Sequence, residues 1–394
     1  MRILMLLDNE FPPDIRVENE ALSLIKAGHE VHILSYNHGR RLPYELYLGI
    51  HVHRFDIHRQ VAKKMLGLIH QVPLYKLIWG SQAKKMLGKT SFEAVHIHDL
   101  PLCFLANVIR KRFNIPVTAD MHENYPYLVA EQPFMNSWFG KLFLSKKIWF
   151  KREKQWLESA DHIICVATEM GDRLRQVLGE HCEITIVPNT LGFDAFAKMQ
   201  VNVEGLKERF DHQFNVVYIG GIDTMRGIDV LIRAGSIIAG KIPVLKIILV
   251  GSGKIIPELE ALSTSLDMEK HVVFEGWKPS SSVQSYIELS DVCVIPHLKT
   301  VQTDNSSPNK LFQYMYFGKP VISSNCRSLE KIIAQERCGL IFEDRNPADL
   351  ADKLLLLYHN TDLKHSLGRN GYQAVMNTYN WDATSKGLLK IYSS

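Results

Sequence analysis

Short apolar runs alternate along the chain with stretches in which apolar residues recur every three or four positions. RILMLLD opens as a strand, Val17 to Ala27 carries helical spacing closed by Gly28, and EVHILSY reads as the next strand. That order is a strand–helix–strand unit. IHVHRF, AVHIHD, IPVTADMH, HIICVA and EITIVPN continue it, several of them continuous enough to be buried on both faces of a parallel sheet. After Pro188-Asn189 the period lapses through VNVEGLKERFDHQ, a linker with a short helix. A second series follows: FNVVYIGG, VLKIILVGSG, HVVFEGW, DVCVIPH, KPVISSN and CGLIFED, separated by helical patterns at Ile228 to Ala239, Ser282 to Leu289 and Leu311 to Phe317. The tail is helical over Asp349 to Tyr358, Leu363 to Met376 and Ala383 to Tyr392. The expected fold is α/β, with two Rossmann-like domains in series: 1–195, a linker over 196–213, and 214–379. Such sheets bind ligands at the carboxyl ends of their strands, so function is expected in a cleft that both domains face.

Composition narrows this little. The 394 residues are 46% hydrophobic and 22% charged, which is ordinary for globular domains. Lys and Arg outnumber Asp and Glu by 46 to 42, so no nucleic-acid partner is expected. The apolar run before Asp8 is too short for a signal-peptide core, and no uncharged apolar stretch is long enough to span a membrane. Six cysteines without a C-x-x-C pair suit a reducing cytoplasm. Two segments do stand out. Arg59 to Lys89 carries seven Lys or Arg and no acid, and Trp138 to Lys154 carries six against one acid. Both interleave cations with Leu, Ile, Phe and Trp, the composition of surface helices that dock on anionic lipid; the plainer alternative is a solvated basic face.

The segment DNSSPNKLFQYMYFGKPVIS, Asp304 to Ser323, reads as polar loop, helix and strand. Ser306, Ser307, Asn309 and Lys310 gather at the helix start, where free N–H groups and the dipole favour an anion such as a diphosphate. A simple capped helix is the alternative. In YIGGIDTMRGIDVLIRA a strand ends in Gly220-Gly221 and Arg226-Gly227 opens a helix. LVGSGK has a G-x-G from Gly251, but Ile256 stands where a dinucleotide motif needs its third glycine, which disfavours a dehydrogenase. The H-x-H of HIHDLP puts His96 and His98 on one strand face with no third and fourth ligand at hand in sequence, so no zinc site is expected.

The PNKLFQYM helix with its following G-K-P-V resembles the nucleotide-sugar site of GT-B glycosyltransferases of family 4, in the subgroup whose helix reads P-N-K-L-F-E-Y-M. The likeness runs from the opening strand to the NWDATSKGLLKIY tail. It implies the GT-B fold, with a last helix, 380–394, crossing back to the first domain. It also implies retaining transfer of a sugar from a UDP- or GDP-sugar to a polysaccharide or lipid-linked glycan, without a metal or other cofactor. On this likeness Arg226 and Lys310 neutralise the leaving diphosphate, Gly220, Gly221, Gly251, Trp277, Asn305, Ser306, Ser307, Asn309 and Gln313 surround the donor, and His122 lies beside the donor sugar with Glu123 orienting it. Asp14 and Arg16 fall in the opening loop on the acceptor side. Two positions depart from the family: its Glu-x7-Glu pair is Asn305 and Gln313 here. An amide still accepts from a hydroxyl, but without the charge that roughly doubles such a bond. The rivals are a nucleotide-sugar epimerase on the same fold and a non-catalytic nucleotide-binding scaffold subunit. The expected setting is cytoplasmic, peripheral on the inner face of the membrane.

Overall fold

The computed structural model describes residues 1–69, 72–130, 146–179, 182–193, 204–306 and 308–393. The chain divides into two compact units, Met1–Pro188 with Thr384–Ser394, and Asn189–Ala383. The division falls at Pro188 where the sequence places it after 195. Residues 196–203 of the expected linker lie outside the described residues; its remainder holds the short helix Glu204–Phe210.

In the first unit the strands are β1 (Arg2–Glu10), β2 (Glu30–Asn37), β3 (Tyr44–Tyr47), β4 (Ile50–Asp56), β5 (Ala94–His98), β6 (Val117–Met121), β7 (His162–Cys165) and β8 (Ile184–Ile186). They form one sheet in the order β3-β4-β2-β1-β5-β6-β7-β8, parallel except for β3 against β4. Leu4, Leu6, Val95, Ile97, Val117 and Ala119 are fully buried, because helices cover both faces of a parallel sheet. Helix α1 (Ile15–Lys26) begins at Asp14, whose carboxylate accepts the Arg16 N–H, and buries Val17, Glu20, Ala21 and Leu24. The basic segment after β4 forms α2 (Arg59–Gly67) and α3 (Leu74–Lys89). The tail read as one helix over 383–392 is two, Trp381–Thr384 and Lys386–Ile391, because the Asn380 side chain caps the Ala383 N–H and starts a separate turn.

In the second unit β9 (Phe214–Ile219), β10 (Leu245–Val250), β11 (Val272–Gly276), β12 (Val292–Ile295), β13 (Val321–Ser324) and β14 (Gly339–Phe342) form a parallel sheet in the order β11-β10-β9-β12-β13-β14. The chain winds outward from β9 in one direction, then from β12 in the other. The strand order therefore reverses between β9 and β12, as it does between β1 and β5 in the first sheet. Ligands of doubly wound sheets bind at such reversals, outside the carboxyl ends of the strands.

Candidate active site

In the second unit the reversal is where the sequence motifs meet. Gly220 and Gly221 follow β9, and the Gly220 position has φ 133°. A Cβ on Gly251 would come 1.8 Å from the Gly220 carbonyl oxygen, so the G-x-G after β10 is a backbone packing requirement that brings two loops together. The helix Asn309–Tyr316 is anchored by buried Leu311, Phe312, Tyr314 and Met315, and the Tyr314 hydroxyl accepts the Ile219 N–H at 3.1 Å. Pro308 starts it without a side-chain cap. Its first N–H groups are thus left for a ligand or solvent.

That anchoring carries Lys310 back to β9, where Nζ lies 4.2 Å from the Tyr218 ring centre and a Cβ on Gly220 would sit 2.7 Å from it. Arg226 donates from Nε to Asp223 at 3.2 Å, and its Nη1 lies 3.5 Å from Nε2 of His297, a buried residue just beyond β12. Burial, then the neighbouring Arg226, pull the Lys310 ammonium well below its usual range. Burial and the two cations hold His297 neutral in the same way. Asp223 is the one carboxylate ion-paired with Arg226 among the described residues. The arrangement is short of negative charge. A negatively charged ligand relieves it.

The other sequence candidates of this unit have different local surroundings. Trp277 is 71% exposed after β11, open to stacking. Asn305 donates to the Val301 carbonyl at 2.6 Å as the C-cap of a short helix. Ser306 reaches the Thr303 carbonyl at 3.4 Å; Ser307 lies outside the described residues. Asn309 is the exposed first residue of its helix, and Gln313 is one turn further, half-buried. His297 and Asp223 were not singled out in the sequence. Asp223 stands three residues before Arg226 and caps the turn Thr224–Arg226, a spacing that signals an ion pair.

In the first unit His122 follows β6 and is buried. Its Nε2 lies 2.7 Å from Oδ2 of Asp120 and 3.8 Å from Oε1 of Glu20. The same Asp120 oxygen lies 3.2 Å from His98 Nδ1 and 3.4 Å from His96 Nε2, and Tyr392 reaches His96 Nδ1 at 2.8 Å. Burial raises Asp120, but the His122 imidazolium and the hydrogen bonds overcome it and hold the carboxylate well below its usual range. The mirror holds for His122, where burial is outweighed by Asp120 and the imidazole is raised. Glu20, buried and beside the Asp120 charge, is pushed well up and stays protonated. His98 is lowered by burial to about 4 and is neutral. Glu123 is half-buried, its carbonyl accepting the Tyr125 N–H at 2.9 Å.

The absence of further ligands around the H-x-H is corrected here. Glu20, His98, Asp120 and His122 bring one ligand atom each within 4.8 Å of one another, a set able to hold a metal ion, because α1 and β6 pack their side chains onto the β5 face. His96 Nε2 makes a hydrogen bond to Oδ2 of Asp120 at 3.4 Å, while His122 Nε2 and His98 Nδ1 stand at ion-pair distance from the same oxygen, 2.7 and 3.2 Å. Asp14 and Arg16 pair with each other at 2.9 and 3.1 Å. A cavity of about 690 Å³ lined by Lys319, Lys364 and Tyr372 lies at the amino ends of β12 and β13, away from these groups.

Two doubly wound parallel units, with a cationic site at the reversal of the second, define a GT-B glycosyltransferase. The family model for glycosyltransferase family 4 matches residues 15–191 and that for glycosyl transferases group 1 matches 206–374. The chain belongs to glycosyltransferase family 4. It is 23% identical over 364 residues to an uncharacterized glycosyltransferase, MJ1178, of Methanocaldococcus jannaschii, covering 92% of this chain and 89% of that one. Sucrose-phosphate synthase of Thermosynechococcus elongatus superposes with a TM-score of 0.80 at 18% identity, over 99% and 98% of the two chains. HepE of Anabaena in complex with UDP superposes at 0.75 and 14% identity over the whole of both. These likenesses favour neither the epimerase nor the scaffold.

Proposed function

We propose that this glycosyltransferase moves a sugar, with retention of configuration, from a UDP- or GDP-sugar to a polysaccharide or lipid-linked glycan at an anionic membrane surface. The observation that carries it is the Arg226–Lys310–His297 group at the uncapped helix start, with Asp223 as the carboxylate paired to it. The UDP bound to HepE supports the donor class. Gly220 and Gly221 let backbone approach the diphosphate, Trp277 stacks on the base, and Asn309, Ser306 and Gln313 contact phosphate, sugar and ribose. The acceptor hydroxyl attacks the anomeric carbon on the face the diphosphate leaves; its proton passes to the departing phosphate oxygen. The protein supplies position and charge, with no nucleophile of its own and no metal in the step. His122 offers a hydrogen bond to a sugar hydroxyl.

A panel of UDP- and GDP-sugars, followed by released nucleotide and by the anomer of the product in NMR, tests this. One donor is expected to be cleaved slowly, with its anomeric configuration kept. If nucleotide binds but nothing turns over even with membrane lipid extract, the transfer reading falls and a binding subunit takes its place.

The membrane part rests on α2 and α3. Among the described residues no helix is long and apolar enough to cross a membrane. Exposed Val61, Leu68, Val72, Leu74 and Leu77 nevertheless stand among exposed Arg59, Lys63, Lys64, Lys84 and Lys85. This mix suits insertion at an anionic lipid interface. Of the second basic segment, 138–145 lies outside the described residues. Sedimentation with phosphatidylglycerol vesicles but not with phosphatidylcholine is expected, and Leu77→Asp with Lys63→Glu should abolish it; equal binding to both lipids, or none, removes the docking claim.

A further inference from the structure

The strand IHVHRF carries a second H-x-H, His51 and His53, that the transfer chemistry leaves unused. Parallel pairing sets His32 of β2 opposite His51 of β4, and antiparallel pairing sets Tyr44 of β3 opposite His53. Their side chains gather on one face of the sheet. The His32 ring lies 4.5 Å from that of His51 and 5.3 Å from that of His53, and Phe92 packs edge-on against it at 5.1 Å. Glu30, two residues before His32 and so on the same face, brings Oε1 to 2.8 Å from His32 Nε2. We infer that Glu30, His32 and His51 bind one divalent transition-metal ion of the zinc class. They stand at the amino ends of β2 and β4, whereas His98 and His122 of the buried set stand at the carboxyl ends of β5 and β6. The ion therefore has no part in the proposed transfer.

The donor set selects the ion. Imidazole nitrogen with one carboxylate suits zinc, nickel and copper, whereas calcium and magnesium take oxygen ligands. Glu30, His32 and His51 each bring one ligand atom within 4.8 Å of the others. An ion about 2.0–2.1 Å from each ligand holds them roughly 3–4 Å apart, so small side-chain rotations close the set. The far nitrogens of both rings already have partners. His32 Nδ1 stands 3.0 Å from His53 Nε2, and His51 Nδ1 stands 2.9 Å from the Tyr44 hydroxyl. When His32 donates to His53 and His51 donates to Tyr44, each ring keeps the lone pair of Nε2 for a metal. Ligating histidines are oriented in this way, by a hydrogen bond from the nitrogen that does not bind. Arg2 is the competitor: its guanidinium reaches both oxygens of Glu30, at 2.9 and 3.0 Å. It fixes the direction of the carboxylate and repels a second cation. Glu30 is exposed and His51 half-buried, so water completes the coordination that three protein ligands leave open. Bound there, the ion ties β2 to β4.

The test uses the full chain, stripped of metal with a chelator. Zinc uptake is measured in competition with a chromophoric chelator, and histidine ring signals are followed by NMR with cobalt(II) as a paramagnetic probe. One equivalent of zinc is expected at this site, with cobalt shifts on the His32 and His51 rings and a rise in melting temperature as zinc is added. His51→Asn should lose that equivalent and that rise. Glu30→Gln should bind more weakly, and Arg2→Gln, which removes the competing cation, more tightly. His53→Ala should weaken binding about tenfold to a hundredfold, the cost of losing the outer partner of a ligating histidine. His53→Gln, whose amide oxygen still accepts the His32 N–H, should lose less. If His51→Asn does not fold, the cobalt shifts of the wild-type rings decide alone. No uptake, uptake that His51→Asn leaves unchanged, or cobalt shifts confined to His98 and His122 overturn the inference.

Discussion

Alanine at Lys310 or Arg226 is expected to lower kcat/KM for donor cleavage roughly a hundredfold to a thousandfold, the usual cost of removing one group that stabilises charge developing in a transition state. The two cations gather at one end of β9, and one of them is already electrostatically unsatisfied: Lys310 is depressed by burial and by Arg226. A diphosphate reverses both causes in part, because its charge favours the ammonium. Binding is therefore expected to take up a proton, in the pH range where the free protein holds Lys310 neutral and the complex holds it charged. Titration calorimetry with UDP in buffers of different ionisation heat reads this directly, and Lys310→Gln should abolish the uptake. Arg226→Ala should reduce it, since it removes the cation that depresses Lys310. Binding heats that do not depend on buffer at any pH, or an alanine variant cleaving donor at the wild-type rate, would remove these residues from the site. Melting curves of each variant separate loss of chemistry from loss of the Lys310–Tyr218 contact, seen at 4.2 Å.

The contrast between the two units explains what was legible in the chain. RILMLLD, FNVVYI and LKIILV announce themselves as strands because a parallel sheet buried on both faces needs continuous apolar runs. Tyr44–Tyr47 did not, since its four residues are half to fully exposed and owe their register to β4 rather than to their own pattern. The donor side was readable for the same local reason: Pro308, Asn309 and Lys310 are consecutive, and a helix start is written in a few residues. His297 was not, because what makes it a neighbour of Arg226 is the adjacency of β9 and β12, which no short window contains. His96 and His98 could be placed on one face from strand periodicity alone. Their partners needed the strand order β1-β5-β6 and the docking of α1, which bring Glu20 and Asp120 to them from distant parts of the chain.

Replacing Asp120 by Asn is expected to be the most destabilising single change in the first unit's site, at about 3–5 kcal/mol, because it leaves a buried imidazolium without its counter-charge. For a unit of this size that is a fall of roughly 10 °C in the melting temperature. The pH dependence follows from the two shifts. Asp120 is held below its ordinary 3.8, so its contribution is present above that value and is lost as pH falls through the depressed one. His122 is raised above 6.5, so its contribution is complete below 6.5 and is lost as pH rises through the elevated value. The pair therefore stabilises most between about pH 4 and 6.5, and Asp120→Asn should lose most there while approaching wild type at alkaline pH, where His122 is neutral in both. Glu20 gives the control. It is already protonated beside Asp120, so Glu20→Gln keeps the shape and the neutral charge and should shift the melting temperature by no more than a few degrees. Equal losses for the two variants, or a loss from Asp120→Asn that does not change from pH 5 to 9, would show that the imidazolium–carboxylate pair is absent and that His122 is held neutral by packing.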